Sequence, residues 1–232
     1  MLATPTAEGI VICSDTRGFK SDGTEIESAK LFIISPNLVL GGTGDTAYFA
    51  GDRPIFDLFQ VAGRYLRGIE NYNQVSGLGK FLQAEFRSLI QKLQLPMTPR
   101  PFQVVVFYID REHTPYLYSA KLTPQLAQIV EEHRGGKGTV FFQRASLLAF
   151  GENRLYEELE KGHDERFDDL RNNGALMDII RLKRSARSLT SEEAISIQRL
   201  LIRETSKRID HQRVSEDSRC LVLPYAGAAA WK

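Results

Sequence analysis

Along the first third of the chain, apolar positions come in short runs broken by polar and glycine residues. Gly9 to Ser14 is apolar, a polar excursion passes through Asp22 and Gly23, and Leu31 to Ile34 and Leu38 to Leu40 follow, which predicts consecutive antiparallel strands. After Gly41, Gly42, Thr43 and Gly44 the period lengthens. Ile55, Leu58, Phe59, Ala62 and Leu66 then fall on one helical face, with Pro54 suited to the first turn. A second helix is predicted from about Gly79, striped by Phe81, Leu82, Phe86, Leu89, Ile90 and Leu93 and ending before Pro96.

Phe102 to Ile109 is β-branched and aromatic, and Tyr116 to Ala120 reads as its hairpin partner. Arg134 to Gly138 reads as a basic glycine-rich turn that lacks the ending of a phosphate-binding loop, and Thr139 to Phe142 and Ser146 to Phe150 as strands. Glu152 to Leu182 is charged and helical in parts. Thr190 with Glu193 three positions on is a capping box opening a helix that turns Ala194, Ile197, Leu200 and Leu201 inward, and Cys220 to Leu223 is a last strand. No linker or composition shift divides the 232 residues, so a single domain, 1–232, is expected.

Charge narrows the function classes by subtraction. Thirty Lys and Arg against 29 Asp and Glu leave no field to gather nucleic acid or an anionic membrane. Neither a signal peptide nor an apolar run of the ~18 residues a spanning helix needs is present, so the expected address is the cytoplasm. Cys13 and Cys220 lie far apart in apolar stretches and are expected as buried free thiols. His113, His133, His163 and His211 are scattered without ligand spacing, so no metal site is expected.

Three segments taken together, Gly9 to Arg17, Lys30 to Ile34 and Leu38 to Asp45, resemble the proteasome β-subunit family of the N-terminal nucleophile hydrolases. Each matches a family feature in order and spacing: an apolar strand ending in Asp-x-Arg, a lysine opening another strand, and a Gly-Gly-Thr turn. Leu147 to Gly151 matches a later apolar strand ending in glycine, while Gly162 to Asn173 departs from the family pattern. The resemblance implies an α+β fold, a four-layer αββα sandwich of two antiparallel sheets flanked by helices. It also implies self-association into a homo-oligomer or ring.

The family chemistry uses an N-terminal threonine whose hydroxyl attacks an amide while its own α-amine takes the proton. By resemblance Lys30 keeps that amine neutral, Asp15 holds the lysine, and the Gly41 amide, with Gly42 as its fallback, stabilises the oxyanion. Arg17 either joins the Asp15 network or is an ordinary surface arginine. This mechanism needs no metal or organic cofactor. The family threonine falls roughly two positions before Met1, and Thr4 and Thr6 sit too near the turn before Gly9 to replace it. Glu152 stands where relatives carry a serine; pairing with the α-amine is one reading, but it reads first as a first-turn residue of a helix beginning near Asn153, and Asp210 matches the remaining family aspartate only loosely. Two functions therefore stay open: a threonine-type hydrolase of peptides or another small amide, its start set too far downstream, or a catalytically silent scaffold subunit.

Overall fold

The computed structural model describes residues 1–19, 24–44, 46–50, 53–93, 102–122, 129–136 and 142–232. In chain order the elements begin with strands β1 (Leu2–Pro5), β2 (Gly9–Asp15), β3 (Arg17–Phe19), β4 (Glu25–Glu27), β5 (Leu31–Ser35), β6 (Leu38–Gly44), β7 (Ala47–Ala50) and β8 (Arg53–Asp57). Helices α1 (Leu58–Leu66) and α2 (Leu78–Leu93) precede β9 (Phe102–Ile109), β10 (Pro115–Leu122), β11 (Ile129–Gly135) and β12 (Leu148–Ala149). The last third holds α3 (Arg154–Lys161), α4 (Asp168–Arg171), α5 (Gly174–Ile180), α6 (Ser191–Arg208), β13 (Ser218–Pro224) and β14 (Ala230–Trp231). This is the expected α+β class, with antiparallel sheets and helices.

The chain divides into two compact units, one made of Met1–Lys30 and Gly135–Lys232, the other of Leu31–Arg134. The first carries a five-stranded antiparallel sheet in the order β12-β1-β2-β13-β14. Its central strand β2 is buried at every position, as its unbroken apolar run requires of a strand covered on both faces. Helix α6 lies against β2, where the Gln198 amide Nε2 donates to the Val11 carbonyl at 3.1 Å. Val11, Cys13, Cys220 and Val222 of the sheet share a core with Leu155, Leu170, Leu176, Ile179 and Leu201 of the helices. Gly9 lets two backbones approach closely: a Cβ there would stand 2.3 Å from the Leu223 carbonyl oxygen of β13.

The second unit carries a five-stranded antiparallel sheet in the order β11-β10-β9-β6-β5. Helices α1 and α2 bury Leu58, Val61, Ala62, Leu66, Leu78, Leu82 and Phe86 in a core shared with Leu40, Val104, Val106 and Tyr118. A Cβ on Gly42 would come within 2.9 Å of the Phe59 ring, so this glycine lets α1 pack closely on β6.

Several expectations are corrected. Cys13 and Cys220 are not free thiols. They face each other across β2 and β13 and form a disulfide across a sequence separation of 207, a pairing that only the sheet register reveals. The glycine cluster does not open a helix: Gly41 to Gly44 continue β6, Arg53–Asp57 is a strand, and α1 starts at Leu58, where the Asp57 carboxylate accepts from the Gln60 amide at 3.0 Å. Arg134 and Gly135 of the expected turn close β11, and its Lys137 and Gly138 lie outside the described residues. Residues 139–141 of one expected strand, the excursion at Asp22 and Gly23, and Pro96 lie outside the described residues. Gly162 to Asn173 is filled by short helical turns, pinned by Arg171, whose guanidinium reaches Glu158 and Asp168 at 2.8 Å each.

Candidate functional site

Strand β2 ends at Asp15 because its last backbone pair is with Ser218 of β13. The short β3–β4 hairpin returns the chain to Lys30, whose Nζ donates to Asp15 Oδ2 at 2.7 Å. Both side chains are largely withdrawn from water, with 9% of Asp15 and 19% of Lys30 exposed. An ammonium and a carboxylate at that depth each depend on the other, since either alone would be a partly desolvated charge.

Met1 sits at the same end of the sheet. Its amine donates to the Phe150 carbonyl at 3.1 Å, and the Phe150 amide donates back to the Met1 carbonyl at 2.9 Å, extending the pairing of β1 with β12. Burial pushes this amine down from 8.0 to about 6; Asp15 opposes the shift and Lys30 adds to it. Near neutral pH the amine is therefore mostly unprotonated and able to accept a proton. The side chain that accompanies it is a methionine thioether, which has no proton to lose.

The other site residues expected from the sequence lie on other elements. Arg17 Nε donates to Glu25 across the β3–β4 hairpin at 2.8 Å, and its Nη1 donates to the His211 carbonyl. Gly41 belongs to the second unit, within β6, paired with Leu31 on one side and Val105 on the other. Thr6 is a turn former: its hydroxyl donates to the Gly9 carbonyl at 3.1 Å and accepts from the Glu8 and Gly9 amides at 3.3 Å. Thr4 is buried within β1 opposite Val11.

Glu152 serves α3. Its carboxylate accepts from the Arg154 amide at 3.0 Å and from the same residue's guanidinium at 2.8 and 2.9 Å. Burial alone would raise the Glu152 carboxyl, but the Arg154 hydrogen bonds and charge outweigh it and hold the group below its ordinary range. Arg154 Nη2 reaches on to Asp210 at 3.2 Å, so the loose aspartate match becomes one end of an ion bridge fixing the segment that follows Phe150. Met1, Phe150 and Arg154 were missed because two act through backbone or terminal groups and the third looks like any helix-opening arginine. Among the described residues no three His, Cys, Asp or Glu side chains gather as a metal could require, and no helix is long and apolar enough to cross a membrane.

No family model matches the chain, and no curated protein matches it. Solved structures do. Anbu, an ancestral beta-subunit, from Yersinia bercovieri is 13% identical with a TM-score of 0.57, covering 99% of this chain and 85% of that one. Anbu from Hyphomicrobium sp. strain MC1 is 14% identical with a TM-score of 0.57 over the same shares. The helical assembly of the Anbu complex from Pseudomonas aeruginosa is 15% identical with a TM-score of 0.59, covering 100% of this chain and 85% of that one. Membership of the proteasome β-subunit family and of the N-terminal nucleophile hydrolases is thereby corrected: the neighbours are Anbu proteins, and identity this low establishes a shared fold alone.

Proposed function

We propose that the chain is a self-associating subunit of Anbu-like fold that acts through its assembly and is silent as a hydrolase. The observation carrying this reading is the fold likeness over essentially the whole chain, including one to a protein described as a helical assembly. That extent also supports treating residues 1–232 as one functional domain made of two units. The partner is another copy of the chain, neither nucleic acid nor membrane. A helical array needs two different complementary patches on each copy, whereas a ring needs the same pair with a rotation that closes. Light scattering on the purified protein from about 1 to 50 µM, with negative-stain microscopy, is expected to give a defined oligomer or filament. A monomer at every concentration refutes the reading.

A hydrolytic second reading has one observation of its own, the largely buried Lys30–Asp15 pair at the end of the sheet where β1 begins. In this reading a threonine ahead of Met1 provides hydroxyl and amine together, Lys30 keeps the amine neutral, Asp15 orients Lys30, and the Gly41 amide takes the oxyanion of a peptide or small amide in the cytoplasm. Hydrolysis of fluorogenic amides by the chain carrying an exposed upstream threonine, lost in Lys30→Ala, would favour it over the silent scaffold. Equal inactivity with and without that threonine removes it.

A further inference from the structure

The first unit is assembled from two stretches that the second unit separates in sequence, Met1–Lys30 and Gly135–Lys232. They are joined where β1 pairs with β12 and, over the longer run of seven residue pairs, where β2 pairs with β13. In the middle of that seam Cys13 stands opposite Cys220, both fully buried and both part of the core under α6. Residue by residue, all of the second unit lies inside the 207-residue loop that this bond closes. Asp15 is two residues beyond Cys13 on the same strand.

We propose that the Cys13–Cys220 disulfide is a redox-dependent clasp on the first unit: oxidised, it fastens the N-terminal stretch and its Asp15 end to β13; reduced, it lets that unit alone open more readily. The bond forms by thiol–disulfide exchange with a small-molecule disulfide of the glutathione class. One cysteine thiolate attacks that disulfide and releases a thiolate. The second cysteine thiolate then attacks the mixed disulfide at the protein sulfur and releases another, so two cysteines are oxidised and one small disulfide is reduced to two thiols. Because neither sulfur reaches solvent, exchange in either direction requires β2 and β13 to part, and the folded unit shields its own clasp. Closing so long a loop restricts the open state by up to a factor of ~10⁴ on chain entropy, with measured effects commonly smaller.

The test compares oxidised protein with protein reduced in urea and refolded under dithiothreitol. Iodoacetamide added in urea without reductant should leave the intact mass unchanged, and after reduction it should label both cysteines. In hydrogen exchange, the Val11 and Leu221 amides should exchange at least about tenfold faster in the reduced protein, while Leu40 and Val105 of the second unit stay within about twofold. A Cys13→Ala, Cys220→Ala double variant should reproduce the reduced pattern and ignore dithiothreitol. Labelling of both cysteines without reductant overturns the proposal. So does exchange in the reduced protein that is unchanged, or that is accelerated equally in both units, whether or not the double variant folds.

Discussion

Lowering the pH from 8 to 6 is predicted to weaken the folding of the chain that starts at Met1, through its buried amine. The unfolded chain takes up the proton near 8.0, the folded chain only near about 6, so over this window the unfolded state holds more protons. Stability from this group is therefore complete above pH 8 and is lost as the pH falls toward 6. A shift of that size is worth close to 3 kcal/mol in all, of which about 2 kcal/mol falls between pH 8 and 6. Histidines titrate in the same window, so the measurement is a difference. Urea unfolding is followed at pH 6, 7 and 8 for this chain and for one with Gly-Ser placed ahead of Met1, which moves the amine away from Phe150, Asp15 and Lys30. The gap between the two unfolding free energies should change by about 2 kcal/mol, with the shorter chain gaining stability as pH rises. A gap that is flat across the window, or that runs the other way, refutes the reasoning that this amine is desolvated.

Gly9→Ala should cost about 2–3 kcal/mol in urea unfolding, because the added methyl meets β13 backbone that cannot swing aside; a loss under 0.5 kcal/mol would mean that the strands are not in this contact. Asp15→Asn should destabilise by about 2–3 kcal/mol by leaving the Lys30 ammonium unpaired, whereas Asp15→Asn with Lys30→Met should recover most of that, and additive losses would deny the pairing. Thr190→Ala should cost about 1 kcal/mol, since Thr190 Oγ1 accepts from the Glu193 amide at 3.2 Å at the start of α6; an unchanged midpoint would count against the cap.

What could be read from the sequence was whatever is decided locally. The Thr190–Glu193 box marks the start of α6 because both partners lie within one turn, and the β9–β10 hairpin follows from two β-prone runs joined by the tight Asp110–Thr114 turn. The Lys30–Asp15 pair was reached only through resemblance, since nothing in the intervening residues fixes their distance. Register is where local reading stopped. Cys13 meets Cys220 because β13 pairs with β2 over their whole length, and position 42 of β6 holds a glycine because Phe59 of α1 leaves no room for a side chain. Both are long-range facts about backbone spacing, invisible to hydrophobic period. Strand β1 was missed because Thr4 and Pro5 dilute its short apolar pattern, and the Met1 amine because a terminal group carries no residue-type signal.

The seam between β2 and β13 also sets a timetable for synthesis. The ribosome delivers Gly9–Asp15 first, and its neighbour Ser218–Pro224 only about 200 residues later, roughly 10–40 s at 5–20 residues per second. Throughout that interval the nascent hairpin has one side open, while Leu31–Arg134 carries all five strands of its own sheet, apart from the closing glycine of β11, and can fold on emergence. The earliest residues made are thus among the last to be satisfied. Ribosome-bound chains halted near residue 170 should accordingly resist protease across the second unit and be cut in the first thirty residues.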